Sequence, residues 1–197
     1  MTSRRTTVAA LLAPFLLLAA CGHSPDTQFL TLDPVPGTPG AGAAYRGAPV
    51  RIPSLQIPAA LDRVEFARET GPGEMKVEDF VHWSASLGML ARDTLILDLA
   101  QRLPSGAVSP PDAAAQPGGL RATVAILSFG VAGTEASMVA TYAFGPEDGQ
   151  AGTPHWVQLS APSAGSTPPE TARAFSALLG ILADRMAGDM TATLPRR

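Results

Sequence analysis

Cysteine occurs once in the 197 residues, lysine once and histidine three times. The lone thiol, Cys21, has no second cysteine with which to close an internal disulfide. His23, His82 and His155 are far apart and form no zinc-ligand motif with one another, so no metal site is expected. Lys76 is the single lysine. With Arg4 and Arg5 set aside, twelve basic residues face seventeen acidic ones. No basic stripe exists for a phosphate backbone, which excludes nucleic acid as a partner. Also missing are a Walker loop and a G-x-S-x-G elbow. Gly37-x-x-Gly40-x-Gly42 is the nearest approach to a phosphate loop, but no helical pattern follows it, and it reads as linker. No cofactor is implied. Charged residues are scarce at 16 %, while hydrophobic residues reach 46 %, enough for the core of one domain.

The one long apolar run lies at the start. Met1 to Thr7 is positive through Arg4 and Arg5, and Val8 to Ala20 is apolar except at Pro14. That layout is an export signal, short of the roughly 20 residues that span a bilayer as a helix. It ends Leu18-Ala19-Ala20-Cys21, which resembles a bacterial lipobox. In such signals the cysteine receives diacylglycerol, the bond before it is cut, and the new amine is acylated. Two acyl chains already give stable anchoring. The resemblance implies residues 1–20 as signal peptide, Cys21 as the lipidated residue and 21–27 as a short leash. Gly22 stands where lipoproteins kept in the inner membrane usually have Asp, which favours the outer membrane, facing the periplasm. Ser3-Arg4-Arg5 lacks the apolar pair of a twin-arginine signal, so ordinary secretion is expected.

Residues 28–190 read as one domain of α/β class (α+β is the variant). A mixed or largely antiparallel sheet is expected under two long helices, with residues 191–197 as a tail. Strands are expected at 28–32, at 50–57 with a break at Pro53, and at 64–68 with 74–77 as a hairpin. Further strands are expected at 120–131, 136–144 and 155–159, the first two joined by a four-residue connection. Ala122, Val124, Ile126 and Ser128 would share one face, while Leu120, Thr123, Ala125, Leu127 and Phe129 fit no strict face, so burial on both sides is an alternative. Leu87, Leu90, Ala91, Leu95, Leu99 and Leu103 recur at helical spacing and predict a helix from Trp83 to Leu103, ended by Pro104. Phe175, Leu178, Leu179, Leu182 and Met186 predict a second helix, opened by a Thr167–Glu170 capping box and stopped at Gly188. Residues 33–48 and 104–119, rich in Pro, Gly and Ala, read as mobile loops.

Little of this carries chemistry. Glu78-Asp79 and Glu147-Asp148 are expected at element ends or turns, as solvated charge. Ser84 and Ser86 lie near His82, but a nucleophile also needs an oriented base and an oxyanion hole. A serine hydrolase is therefore the weakest reading. A periplasmic ligand- or lipid-binding lipoprotein is a stronger rival, and would need an apolar cavity of roughly 300–1,000 Å³. No catalytic residue is assigned.

The stretch Ile57-Pro58-Ala59-Ala60-Leu61-Asp62-Arg63, a hairpin, and then His82-Trp83-Ser84-Ala85-Ser86-Leu87 resembles the ABC-type transport auxiliary lipoproteins, the PqiC-like group. Phe29-Leu30-Thr31-Leu32 and the terminal helix match in placement, so the resemblance covers residues 29–188. Two departures stand out. An acidic-proline pair common inside the family's tryptophan motif is Ala85-Ser86 here, and a frequent Tyr near the first strand is Phe29-Leu30. The resemblance implies a non-enzymatic accessory subunit, anchored to the membrane through acyl chains on Cys21. It implies partners in an MCE-domain protein and membrane transporter subunits that move lipids and maintain membrane integrity. It also allows a homo-oligomer. Leu61, Arg63 and Trp83 are the candidate partner contacts, with core packing the favoured reading of Trp83 over a partner-facing one.

Overall fold

The computed structural model describes residues 25–38, 42–71 and 73–193. The export segment, Cys21 and most of the leash and tail lie outside them. Nine strands and two helices are described, in a mixed α/β arrangement.

Two sheets form where one was expected. β1 (Gln28–Leu30), β5 (Glu74–Trp83) and β4 (Glu65–Gly71) make a three-stranded sheet in the order β1-β5-β4. The second sheet runs β6 (Val108–Ser109), β2 (Val50–Arg51), β7 (Leu120–Ala132), β8 (Glu135–Pro146), β9 (His155–Pro162). The short β3 (Leu55–Gln56) also pairs with β7. Pro53, with no N–H to donate, splits the expected 50–57 strand into β2 and β3. β2 nevertheless lies inside the sheet, parallel to both β6 and β7. β7, β8 and β9 form an antiparallel meander. The β7–β8 turn has two residues, Gly133-Thr134, not four. Gly133 takes a positive φ of 62°, which opens such a tight hairpin without strain.

Burial along β7 shows why simple alternation failed there. Ala122, Val124 and Ile126 face the core as expected, but Ser128 is exposed and Phe129 is buried. A bulge between Ile126 and Ser128 adds one residue and flips the side-chain parity.

Helix α1 spans Leu87–Arg102, starting four residues later than the apolar period suggested. His82 and Trp83 belong to β5, because the Trp83 N–H bonds Val64 O at 2.6 Å and the Ser84 N–H bonds Leu30 O at 2.8 Å. Their backbone is already spent on the sheet. Leu103 is extended, and Pro104 blocks continuation. Helix α2 spans Pro168–Thr193 and runs through Gly188, where a stop was expected. A single glycine costs a helix only about 1 kcal/mol, less than the burial of Met190 beyond it returns. At its start Glu170 accepts bonds from both the N–H (3.0 Å) and the hydroxyl (2.6 Å) of Thr167. Those bonds hold the Glu170 carboxyl below its usual range.

The two helices pack on each other and on the larger sheet. Leu87, Ala91, Leu95 and Leu99 meet Leu178, Leu179, Leu182 and Met186 in one continuous core with Val124, Ile126, Met138 and Tyr142. Among the described residues no helix is long and apolar enough to cross a membrane.

Candidate functional site

The Leu61-Asp62-Arg63 motif sits at the base of α1. Ser86, the residue before that helix, makes no side-chain cap, and the first turn has no acidic residue. Asp62 supplies what is missing: its Oδ1 accepts the Gly88 N–H at 3.1 Å. Gly88 is needed for this approach, since a Cβ there would lie 2.8 Å from Asp62 Oδ1. Arg63 O accepts the Leu87 N–H, and the Arg63 side chain, exposed, pairs with Glu65 at 2.9 Å. Hydrogen bonding from Arg63 holds the Glu65 carboxyl low. Sequence reading missed the capping role of Asp62, because the donor it serves is 26 positions away.

Leu61, half-buried, lines a groove of about 750 Å³ between β4, the far end of β7 and the start of α2. Phe129 and Phe175 lie at that groove, stacked with ring centroids 3.6 Å apart. Trp83 stacks on Phe175 from within (6.4 Å, 14°) and meets Phe66 (5.7 Å). Trp83 is only 2 % exposed and supports the groove from the core. Of the three expected contact residues, Leu61 is at the groove, Arg63 is on the nearby surface and Trp83 is behind it.

A second constellation was not anticipated. Arg102, buried, donates to Asp184 Oδ1 (2.5 Å), Val35 O (3.1 Å), Asp98 O (2.8 Å) and Gly180 O (3.0 Å). Asp98 Oδ1 accepts the Val35 N–H at 2.7 Å, while its Oδ2 is buried without a hydrogen-bond partner. Asp184 binds both the N–H and the hydroxyl of Thr38, and Ser176 Oγ accepts the Asp33 N–H. These contacts fasten residues 33–38, part of one composition-defined loop, across both helices. Residues of the other such loop include β6, and Pro111 O accepts from Arg51. Burial pushes the Asp98 carboxyl up to about 6, against the Val35 and Arg102 contacts that pull it down. Asp184 is also raised by burial, but its bonds to Arg102 and Thr38 outweigh this and hold it low.

Other ionisable groups hold the fold in similar ways. Arg51 grips Glu147 with two bonds (2.8 and 2.6 Å), which lowers the Glu147 carboxyl and joins β2 to the end of β8. Glu78 lies within β5 and not at an element end, paired with Lys76 at 2.9 Å. The Tyr142 hydroxyl donates to Asp189, which His155 meets at 3.2 Å. Ser84 is exposed, and His82 Nδ1 is buried without a hydrogen-bond partner. Nothing among the described residues orients His82 as a base toward Ser84 or Ser86. No group of three or more His, Cys, Asp or Glu able to hold a metal ion occurs among them either.

Residues 30–187 match the family described as the ABC-type transport auxiliary lipoprotein component, and the chain belongs to that family. Two crystal structures share the fold. One, of an uncharacterized protein, has a TM-score of 0.62 at 12 % identity, covering 85 % of this chain and 98 % of its own. The other, a Xanthomonas campestris protein of family DUF330, has a TM-score of 0.63 at 12 % identity, covering 86 % and 96 %. No curated protein matches significantly.

Proposed function

We infer that this protein is a lipid-anchored accessory subunit, held at the outer membrane through acyl chains on Cys21 and facing the periplasm. There it serves an MCE/ABC-type system that moves lipids between membranes, and it performs no chemistry itself. The observation that carries this reading is the Leu18-Ala19-Ala20-Cys21 sequence, placed nine residues ahead of a domain of the transport auxiliary family. From Cys21 to Gln28, where β1 begins, seven residues reach ~25 Å at most, so the anchor keeps the domain close to the bilayer.

Two measurements on one strain test it. The wild-type protein takes up labelled palmitate and fractionates with outer membranes, and Cys21→Ala abolishes both. Gentle detergent extraction of the wild-type protein co-purifies an MCE-domain protein with transporter subunits. Label retained by Cys21→Ala would disprove the anchor, and a wild-type preparation free of any transporter component would disprove the role.

A further inference from the structure

The groove beside Leu61 is bounded by two strand edges that pair with nothing among the described residues. β4 is the outermost strand of its sheet and bonds only β5. β7 has β2 and β3 on one side only as far as Ala125; from Ile126 to Ala132 it bonds β8 alone. Ala67–Gly71 of β4 line one wall, and Leu127–Ala132 of β7 with Gly133 of the following turn line the other. Each unpaired edge carries a row of main-chain donors and acceptors, which is a template for another strand. A strand set between two others needs them ~10 Å apart, twice the usual spacing. β4 and β7 lie in different sheets and do not bond each other.

We propose that this groove is a binding site for an extended, uncharged peptide segment of a partner protein, which adds a strand between β4 and β7. The walls match a run of five to seven residues, the lengths of the two lining stretches. The aromatic pair Phe129 and Phe175, with Leu61, receives apolar side chains at every second position, since alternate residues of a strand point to one face. The charge of the walls decides the neutrality of the segment: they carry one cation, Arg68, and one anion, Glu69. Arg68 already faces Glu78 at 3.8 Å. A strongly charged segment finds no counter-field there. The inference deepens the accessory-subunit reading by giving its docking partner a chemistry.

The test is a fluorescence titration of the full-length protein in detergent with a labelled peptide of alternating threonine and valine. A second peptide carries N-methyl groups on alternate residues, keeping the side chains but removing main-chain donors. Gly130→Trp plugs the groove; a Cβ at Gly130 meets nothing within 4 Å, so the fold tolerates it, as an unchanged melting temperature verifies. Trp156→Ala, on β9 and 68 % exposed, is the control. The plain peptide binds saturably, and Trp156→Ala leaves binding unchanged. N-methylation and Gly130→Trp each weaken it by about tenfold or more, as loss of two or three main-chain bonds requires. Equal binding of the two peptides, binding indifferent to Gly130→Trp, or no saturation would overturn the proposal. So would displacement of the peptide by phosphatidylglycerol micelles, which would make the groove a lipid site. The titration needs no transporter, so it stands or falls apart from the envelope pull-down.

Discussion

Asp62 shows how a motif residue acts at a distance. Its carboxylate caps a helix that its own segment does not belong to. Asp62→Ala is expected to lower stability by about 1 kcal/mol, the usual worth of an N-terminal cap, read as a shift in urea midpoint at unchanged slope. Asp98 gives a prediction of opposite character. Its carboxyl is pushed from an ordinary 3.8 to about 6 in the fold, so the native state binds its proton more readily than the unfolded chain does. Above about pH 6 the buried charge costs stability in full; as pH falls from 6 toward 4 that cost disappears. Glu147, Glu170 and Asp184 are held low and work in the other sense, losing their contribution only as pH drops below about 4. The wild-type protein should therefore gain stability relative to Asp98→Asn on going from pH 7 to pH 5. Denaturation curves of the two at both pH values measure this, and a constant difference would contradict it. Neither residue was legible in the sequence, because the atoms each one serves come from other segments: Gly88 for Asp62, Val35 and Asp184 for Asp98 and Arg102.

Among the elements, the helices were read well and the strand ends poorly, for a physical reason. A helix is written in the period of its own residues, so the stripes from Leu87 to Leu99 and from Phe175 to Met186 were visible and are buried. A strand ends where its neighbour stops bonding it, which is a property of two segments. So β5 reaches Trp83 because β1 and the Val64 carbonyl are there to receive it, and a helix-like reading of His82-Trp83 gave way. The β7 bulge, similarly, showed only as apolar residues at Leu127 and Phe129 that fit no single face, which burial on both sides would explain equally well. Close approach between elements also hides in single residues. Gly180 lets α2 touch the 33–38 segment: a Cβ there would meet Val35 Cγ2 at 2.8 Å. Gly180→Val is expected to cost about 1–3 kcal/mol by overcrowding this seam, with Gly180→Ala milder. Hydrogen exchange should show faster opening at Val35 and Thr38 in the valine variant, and unaltered protection there would argue against the seam.

For the molecule as a whole, the lipobox resemblance and the family motif spoke to location and role, while the groove came only from the meeting of two sheets. Of the residues singled out beforehand, Leu61 lines that groove and Trp83 braces it, although neither position advertises an unpaired strand edge. The fastening of residues 33–38 onto α2 bears also on how the chain is made. Asp33 bonds Ser176, and Thr38 bonds Asp184, across separations of 143 and 146 positions. The earliest part of the domain thus waits for its last helix. Without α2, Arg102 and Asp98 have no Asp184 or Gly180 to meet, and that seam stays open. Closure of this seam therefore waits on α2, which acts as the clasp for a segment lying more than a hundred positions before it.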